Sequence, residues 1–196
     1  MQWSADKLVF SPSDLIKFME SEYITWMDRF DLEQPGIAER DPDDETAKIL
    51  QDRGIAHEAA HLAQLRAAGR EIIDVSDSDD RFAATIAAMQ SGADIIYQGA
   101  LRDEALDWSR SSSDASTDSP ADPSDTYSFL GYADFLERVP GASTLGDYHY
   151  EPWDTKLALN EKPHFLIQLS CYADLLALIQ GVIQKRVHVV LGDKRV

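Results

Sequence analysis

The chain has 196 residues, of which 44% are hydrophobic, and this is enough for one domain with a sizeable core. Its 35 acidic and 18 basic residues leave a net charge of −17, which argues weakly against a nucleic-acid partner because such partners usually require a basic surface. The single cysteine, Cys171, excludes an internal disulfide and an all-cysteine metal or iron–sulfur site, and residues 1–10 carry no signal pattern, so a cytoplasmic protein is expected.

The first part of the chain is predicted to be mainly helical. Ser11 is a suitable N-cap, Pro12 stands at the first helical position, and apolar residues recur at helical spacing as far as Tyr23, which predicts one helix through this segment. The following elements are a turn or loop, a helix, a short strand and a helix, predicted over 41–45, 45–68, 71–75 and 81–90.

The second part is predicted to carry the sheet. Residues 111–128 hold seven Ser, four Asp, two Pro and no basic residue, so a flexible acidic insertion is expected there rather than a domain boundary. This order predicts a single α/β domain over 1–196, with a mainly helical part at 1–92 and a sheet core at 93–192, in which helices flank a mixed central sheet. Strands are predicted over 93–101, 131–139, 151–158 and 187–192, and a helix over 163–180.

The most apolar stretch of the chain covers 165–183 and is about long enough to span a bilayer. Polar residues interrupt it at Gln168, Ser170, Asp174 and Gln180. It is therefore interpreted as a buried helix, and no membrane partner is expected.

Two neighbouring predicted strands contain charged residues that are costly to bury, namely Asp134 in the first and Asp154 with Lys156 in the second. Because side chains alternate along a strand, Asp154 and Lys156 lie on the same face. Carboxylates of this kind suit Mg²⁺ or Mn²⁺, and the lysine could then orient or activate an attacking water. The alternative is a structural salt bridge at a sheet edge, which the D-x-K spacing alone favours because this tripeptide is common.

Four short motifs follow one another in a defined order, and together they are far more specific than any one of them. They are "GIAH" at 54–57, "GYAD" at 131–134, "DTK" at 154–156 and "QLSCY" at 168–172. In this order the chain resembles the RecB-like nuclease family of the PD-(D/E)xK superfamily, in particular a bacterial group related more distantly to the CRISPR-associated adaptation nucleases. The likeness covers nearly the whole chain apart from 111–128. It implies a restriction-endonuclease-like core and a metal-dependent nuclease that acts on DNA.

The resemblance also implies roles for individual residues. His57, Asp134 and Asp154 would bind Mg²⁺ or Mn²⁺, together with the backbone carbonyl of Thr155. Lys156 would act on the water or stabilise the charge that develops on the phosphate.

The pair Gln168 and Tyr172 would contact the nucleic-acid strand, since positions i and i+4 share one helix face. The alternative for this pair is a buried hydrogen bond without a functional role. Glu58 points about 100° away from its neighbour around the helix, so it is a weaker candidate for an auxiliary ligand.

The chain departs from its relatives in two respects. Several relatives bind an iron–sulfur cluster through four cysteines, one of which stands roughly where Ser21 stands here, so no such cluster is expected. Relatives of the bacterial group continue into a C-terminal domain that resembles ribonuclease H. Such a domain is therefore an expected partner, and the chain is expected to be a truncated gene or an excised domain.

A competing interpretation uses the same helix. "HEAAH" at 57–61 is an H-E-x-x-H sequence, in which His57 and His61 would share a zinc ion and Glu58 would be the general base of a metalloprotease. No suitable third ligand follows, since Glu71 lies beyond Gly69 rather than on a following long helix. This interpretation also leaves the order of the other three motifs to chance, so the nuclease is favoured.

A third interpretation is a nuclease-like fold that serves as a non-catalytic DNA-binding module. Such a module would be expected to lose Lys156 or a carboxylate first, and all of them are present. The expectation is therefore a metal-dependent deoxyribonuclease, acting on single-stranded or end-frayed DNA. The sequence leaves open exonuclease or endonuclease action, polarity, and DNA or RNA as substrate.

Overall fold

A computed structural model describes residues 1–4, 7–38, 45–103 and 127–192. The chain divides into two compact units, Met1–Glu39 with Arg102–Gly131, and Arg40–Leu101 with Tyr132–Val196. Of the segment predicted as an acidic insertion, residues 111–126 lie outside the described residues, as do 41–44 of the predicted turn.

The first unit contains two short strands that the sequence patterns do not predict. Strand β1 (Gln2–Ser4) pairs antiparallel with β2 (Lys7–Phe10), and β2 pairs parallel with the first residues of β5 (Tyr127–Ser143). Residues 127–128 therefore belong to a strand, and their assignment to the insertion is wrong. The reason is that the backbone of Ser128 is paired with Val9, a contact between residues far apart in sequence.

The predicted single helix after Pro12 is also wrong, because two helices occupy this segment. Helix α1 (Pro12–Glu20) and helix α2 (Glu22–Glu33) are separated by Ser21, whose backbone is extended (φ −163°, ψ 114°). The Ser21 hydroxyl accepts a hydrogen bond from Ile24 N (3.4 Å) and so caps α2. A serine that satisfies a helix N-terminus competes with the continuous helix that the apolar spacing predicts.

The second unit is built on a mixed sheet with helices α3, α4 and α5, which confirms the predicted α/β class. The order of its strands is β3–β4–β5–β6–β7; β3 is parallel to β4, β5 is antiparallel to β6, and β6 is parallel to β7. The bounds of the elements introduced here are α3 Glu45–Ala67, β3 Ile72–Asp74, α4 Arg81–Ser91, β4 Ile95–Arg102, β6 Gly146–Lys156, α5 Pro163–Gln180 and β7 His188–Leu191.

The helices of this unit begin and end where the sequence predicts, because their ends carry strong local signals. Asp80 caps α4 by accepting from Ala83 N, and Gly92 ends it with a left-handed backbone (φ 74°). Pro163 opens α5, and Gly181 ends it in the same conformation (φ 66°). None of the helices in the described part of the chain is both long and apolar enough to cross a membrane.

The hairpin of β5 and β6 determines where the charged strand residues lie. Its register pairs Phe135 with Trp153, so Asp134 and Asp154 are the next residue on each strand, beyond the last pair of the ladder. Helix α3 packs against the hairpin through Leu62, which belongs to a buried cluster with Phe135. The hairpin therefore brings two aspartates, one from each of its strands, to one end of the ladder.

Candidate active site

The first aspartate is held by the strand that carries the second. Asp134 Oδ2 accepts one hydrogen bond from the backbone N–H of Thr155 (2.7 Å) and another from the Thr155 hydroxyl (2.6 Å). Both donors belong to the residue that follows Asp154. The Asp134 carboxylate is therefore fixed across the end of the hairpin, beside the D-x-K segment.

The second aspartate is almost fully buried, with 1% of its surface exposed. Its Oδ2 lies 2.7 Å from Lys156 Nζ, which agrees with the two side chains sharing a strand face. Burial raises the pKa of Asp154, although the Lys156 ammonium acts in the opposite direction. Apart from this ion pair, no donor within the described ranges hydrogen-bonds to Oδ2.

The two aspartates interact unfavourably with each other. Burial first, and then the negative charge of Asp154, raise the pKa of Asp134 to about 6, while the hydrogen bonds from Thr155 act against this shift. A carboxylate whose pKa is raised by burial and by a neighbouring carboxylate is a common feature of functional sites.

Helix α5 contributes the predicted polar pair next to the aspartates. Gln168 Nε2 donates to the Tyr172 hydroxyl (2.8 Å) and lies 3.3 Å from Asp154 Oδ1, to which it also donates. Tyr172 is 3% exposed, and burial together with the negative charge of Asp154 raises its pKa. The pair is thus joined by a partly buried hydrogen bond, and Gln168 also contacts the carboxylate of Asp154.

His57 is placed near this site but contacts the backbone. Its Nε2 lies 3.2 Å from the carbonyl oxygen of Val190, and Val190 pairs with Thr155 across the β6–β7 ladder. Over the described ranges, no three side chains of the types His, Cys, Asp and Glu are already arranged to hold a metal ion. The role of His57 as a ligand therefore stays a prediction.

Glu58 faces the aspartates more directly than its position beside His57 indicates. It interacts electrostatically with Asp134, Asp154 and Lys156, and burial followed by the charge of Asp134 raises its pKa. The Glu58 side chain points toward the sheet because it lies one helical turn before Leu62, which is buried against the sheet, and so shares its helix face. The apolar residue four positions later, Leu62, is the sequence signal that could have placed Glu58 on the inward face of the helix.

Two residues of β4 hold Glu58, and the sequence patterns assign neither of them to the site. Gln98 Nε2 donates to Glu58 Oε1 at 2.5 Å, and the Tyr97 hydroxyl also hydrogen-bonds to Glu58. A glutamine within the apolar strand "ADIIYQGAL" is the only sequence signal for this contact.

His61, the second histidine of the "HEAAH" sequence, packs among aromatic side chains. Its ring meets Phe135 edge-on (centroids 5.1 Å apart) and stacks with Trp153 (6.3 Å). Burial, and then the charge of His57, lower the pKa of His61. Through these ring contacts His61 stabilises the packing of α3 against the hairpin.

The resulting group of charges is unbalanced. We refer to Glu58, Asp134 and Asp154 as the carboxylate cluster; it contains three acids, and Lys156 is the one cation that the described contacts bring to it. A bound cation would relieve the mutual repulsion of the cluster and give Asp154 Oδ2 a second cationic partner beside Lys156. The residues present therefore fit a divalent metal ion with oxygen ligands.

Comparisons with known proteins add no assignment to this geometry. The carboxylate cluster, Lys156 and the order of the motifs are therefore the features of this chain that bear on its function. The chain matches no protein-family model, no curated protein and no solved structure.

Proposed function

We propose that this chain is a metal-dependent nuclease of the RecB-like type, with a PD-(D/E)xK core, that hydrolyses DNA phosphodiester bonds. The observation that carries the proposal is the meeting of Asp134, Asp154 and Lys156 at the end of one hairpin. Two adjacent strands supply these three residues, and each of the three interacts with at least one other. A structural salt bridge would require one acid for the lysine, whereas here a second, partly buried carboxylate, Asp134, interacts with the pair.

Asp134 and Asp154 are the residues that would hold Mg²⁺ or Mn²⁺, with the carbonyl of Thr155 and the imidazole of His57 as further candidate ligands. When bound there, the cation supplies Lewis-acid stabilisation of the charge on a scissile phosphate. The fit is supported by Asp154 Oδ2, a nearly buried oxygen whose one close partner in the described part of the chain is Lys156.

Lys156 is the side chain that we assign to the reaction itself. Its ammonium is held by Asp154 and is still partly exposed, with a quarter of the side chain accessible to solvent. It can therefore reach a phosphate oxygen or orient a water molecule while Asp154 keeps it in place. Asp134 takes part by remaining fixed through Thr155, so that the carboxylate keeps its direction during the reaction.

We assign DNA contact to Gln168, supported by Tyr172, because this helix face adjoins Asp154. The net charge of −17 opposes the binding of a duplex along an extended surface. Single strands and frayed ends carry a lower density of phosphate charge, so they are the substrates that we propose. Partial exposure of Gln168 is compatible with this contact, whereas the buried Tyr172 would act by holding the glutamine.

The proposal is tested by incubating the purified protein with end-labelled single-stranded and double-stranded DNA, in Mg²⁺, in Mn²⁺ and in EDTA. We expect cleavage that requires a divalent ion and is faster on single strands. Asp154→Asn should abolish it, and Asp147→Asn, an exposed aspartate of the same strand, should leave it unchanged.

Other outcomes would favour the competing functions. DNA binding without cleavage under every metal condition would indicate a non-catalytic binding module. Zinc-dependent hydrolysis of peptides that is insensitive to Lys156→Ala would indicate a metalloprotease, for which the packing of His61 between Phe135 and Trp153 offers no support.

A further inference from the structure

Gln98 has an unusual backbone conformation for a residue inside a strand. Its φ is 58°, and among the residues that the structure describes it is the only one other than glycine with a positive φ. The left-handed region is unfavourable for a side chain that is not glycine, asparagine or aspartate. Such strain persists where surrounding contacts maintain it, and it occurs often at functional sites.

This conformation has a direct consequence for the side chains of β4. Consecutive residues of a regular strand point to opposite faces, so Tyr97 and Gln98 should not reach the same group. Both nevertheless hydrogen-bond to Glu58, with Gln98 Nε2 at 2.5 Å from Oε1. The left-handed backbone of Gln98 interrupts the alternation of side chains along β4, which allows Tyr97 and Gln98 to reach the same carboxylate.

Glu58 is thereby directed at the same charges that define the proposed metal site. It interacts with Asp134, Asp154 and Lys156 although it comes from α3, a different element from all of them. Two neutral donors hold Glu58 in this position without neutralising its charge. A contact that served stability alone would not direct a third carboxylate at two others, since like charges repel.

We propose that Glu58 is a further ligand of the divalent cation and that Gln98 is the positioning residue that holds it. This inference rests on the proposed metal-dependent function. The carboxylate of Glu58 would add a third acid to the two aspartates. The hydrogen bond from the Gln98 amide would fix which oxygen of Glu58 remains available to the cation. The hydrogen bond to Glu58 helps to maintain the strained backbone of Gln98, since a regular strand conformation would direct this side chain away from Glu58.

The test measures Mn²⁺ binding directly, by calorimetric titration and by the electron paramagnetic resonance of free Mn²⁺, on the full chain without DNA. Glu58→Gln should weaken Mn²⁺ binding at least tenfold and leave the Tm unchanged or higher, because it removes one of three repelling charges. Glu45→Gln, an exposed acid in the first turn of the same helix, is the matched control and should bind Mn²⁺ like the wild type.

Gln98→Gly separates positioning from stability. Glycine accepts the left-handed backbone without strain, so the Tm should stay the same or rise. Mn²⁺ binding should weaken several-fold because Glu58 loses one of its two donors and keeps only Tyr97. Gln98→Asn is a second variant that also tolerates this backbone and whose shorter side chain cannot reach Glu58; it should show the same loss of affinity.

Three results would overturn the inference, and they can be told apart. If the wild type does not bind Mn²⁺, the proposed function fails and this inference fails with it. If the wild type binds Mn²⁺ and Glu58→Gln binds it equally well, the metal site stands and Glu58 is not a ligand. If Glu58→Gln weakens binding but both Gln98 variants do not, Gln98 is not the positioning residue.

Discussion

Asp134 and Thr155 are joined by two hydrogen bonds to a single carboxylate oxygen, one from the backbone N–H (2.7 Å) and one from the hydroxyl (2.6 Å). This relationship ties β5 to β6 just beyond the last pair of their ladder, Phe135 with Trp153. It leaves the other oxygen of Asp134 free of Thr155, and it sets the direction of the carboxylate within the proposed metal site.

Thr155→Val should therefore weaken Mn²⁺ binding and DNA cleavage by about tenfold. Valine keeps the shape of threonine but removes the hydroxyl donor, and a hydrogen bond to a charged group contributes roughly 1.5–3 kcal/mol. The measurements are calorimetric titration with Mn²⁺ and the initial rate of cleavage. Thr155→Ser keeps the donor and should behave like the wild type; equal loss in both variants would indicate that packing, not the hydrogen bond, matters.

The apo protein should lose stability as the pH rises through the range in which Asp134 ionises. Burial and the charge of Asp154 raise the pKa of Asp134 from 3.8 to about 6. Between these values the folded state binds more protons than the unfolded state, so the free energy of unfolding falls with rising pH and remains lower above about 6. Thermal unfolding at a series of pH values in EDTA measures this trend.

The matched variant for this prediction is Asp134→Asn, which can still accept hydrogen bonds from Thr155. It should be more stable than the wild type at pH 7.5 and should show a weaker dependence on pH between about 4 and 6. A pH dependence identical to that of the wild type would assign the trend to other groups.

His57→Ala and His61→Ala should have different effects although the two residues lie on one helix, one turn apart. His57→Ala should strongly reduce Mn²⁺-dependent cleavage with little change in Tm, because its described polar contact is a single one with Val190 O. His61→Ala should lower the Tm, because it removes ring contacts with Phe135 and Trp153, and should leave the remaining folded protein active. Equal loss of bound metal in both variants would favour the H-E-x-x-H interpretation.

Lys156→Ala should abolish cleavage while Mn²⁺ still binds, since the ammonium is not a ligand. In EDTA the variant should be less stable than the wild type, because Asp154 is left buried without its ionic partner. Added Mn²⁺ should restore much of that stability by binding the folded state. Lys162→Ala, an exposed lysine at the start of α5, is the control; a Lys156→Ala protein that loses Mn²⁺ would contradict the assigned role.

Gln180→Leu should destabilise the second unit without involving the site. Gln180 is fully buried and pairs with the backbone of Tyr150, accepting from its N–H (2.8 Å) and donating to its carbonyl (3.0 Å). Leucine would leave both groups buried without these partners, at a cost of roughly 2–4 kcal/mol in the free energy of unfolding. Chemical denaturation measures the cost, and Gln90→Leu, at an exposed position of α4, should change it little.

The elements that the sequence predicts correctly are those with local signals. Pro163 and Gly181 mark both ends of α5, and Asp80 and Gly92 mark those of α4. Period two along β6 is sufficient to place Asp154 and Lys156 on one face, where they form an ion pair. In each case the signal lies within a few neighbouring residues, so the element or contact can be predicted without knowledge of the fold.

The elements that the sequence misses depend on partners far away in the chain. Strand β2 exists through pairing with residues near 128, and its four residues carry no alternating pattern strong enough to predict it. The apolar spacing predicts that Ser21 lies inside a continuous helix, but in the structure Ser21 caps the start of α2. The reason is that a hydrogen bond from the backbone to the serine side chain competes with the helical hydrogen bonding.

The same distinction applies to the candidate site. The sequence by itself predicted Asp134, Asp154 and Lys156 as residues of the candidate site, because motif order and strand periodicity are properties of the linear chain. Only the tertiary structure decided that Glu58 joins them, held by Gln98 forty residues later. A left-handed residue in a strand breaks the alternation on which sequence patterns depend, and the contact of a helix with a strand is a long-range one that no local period records.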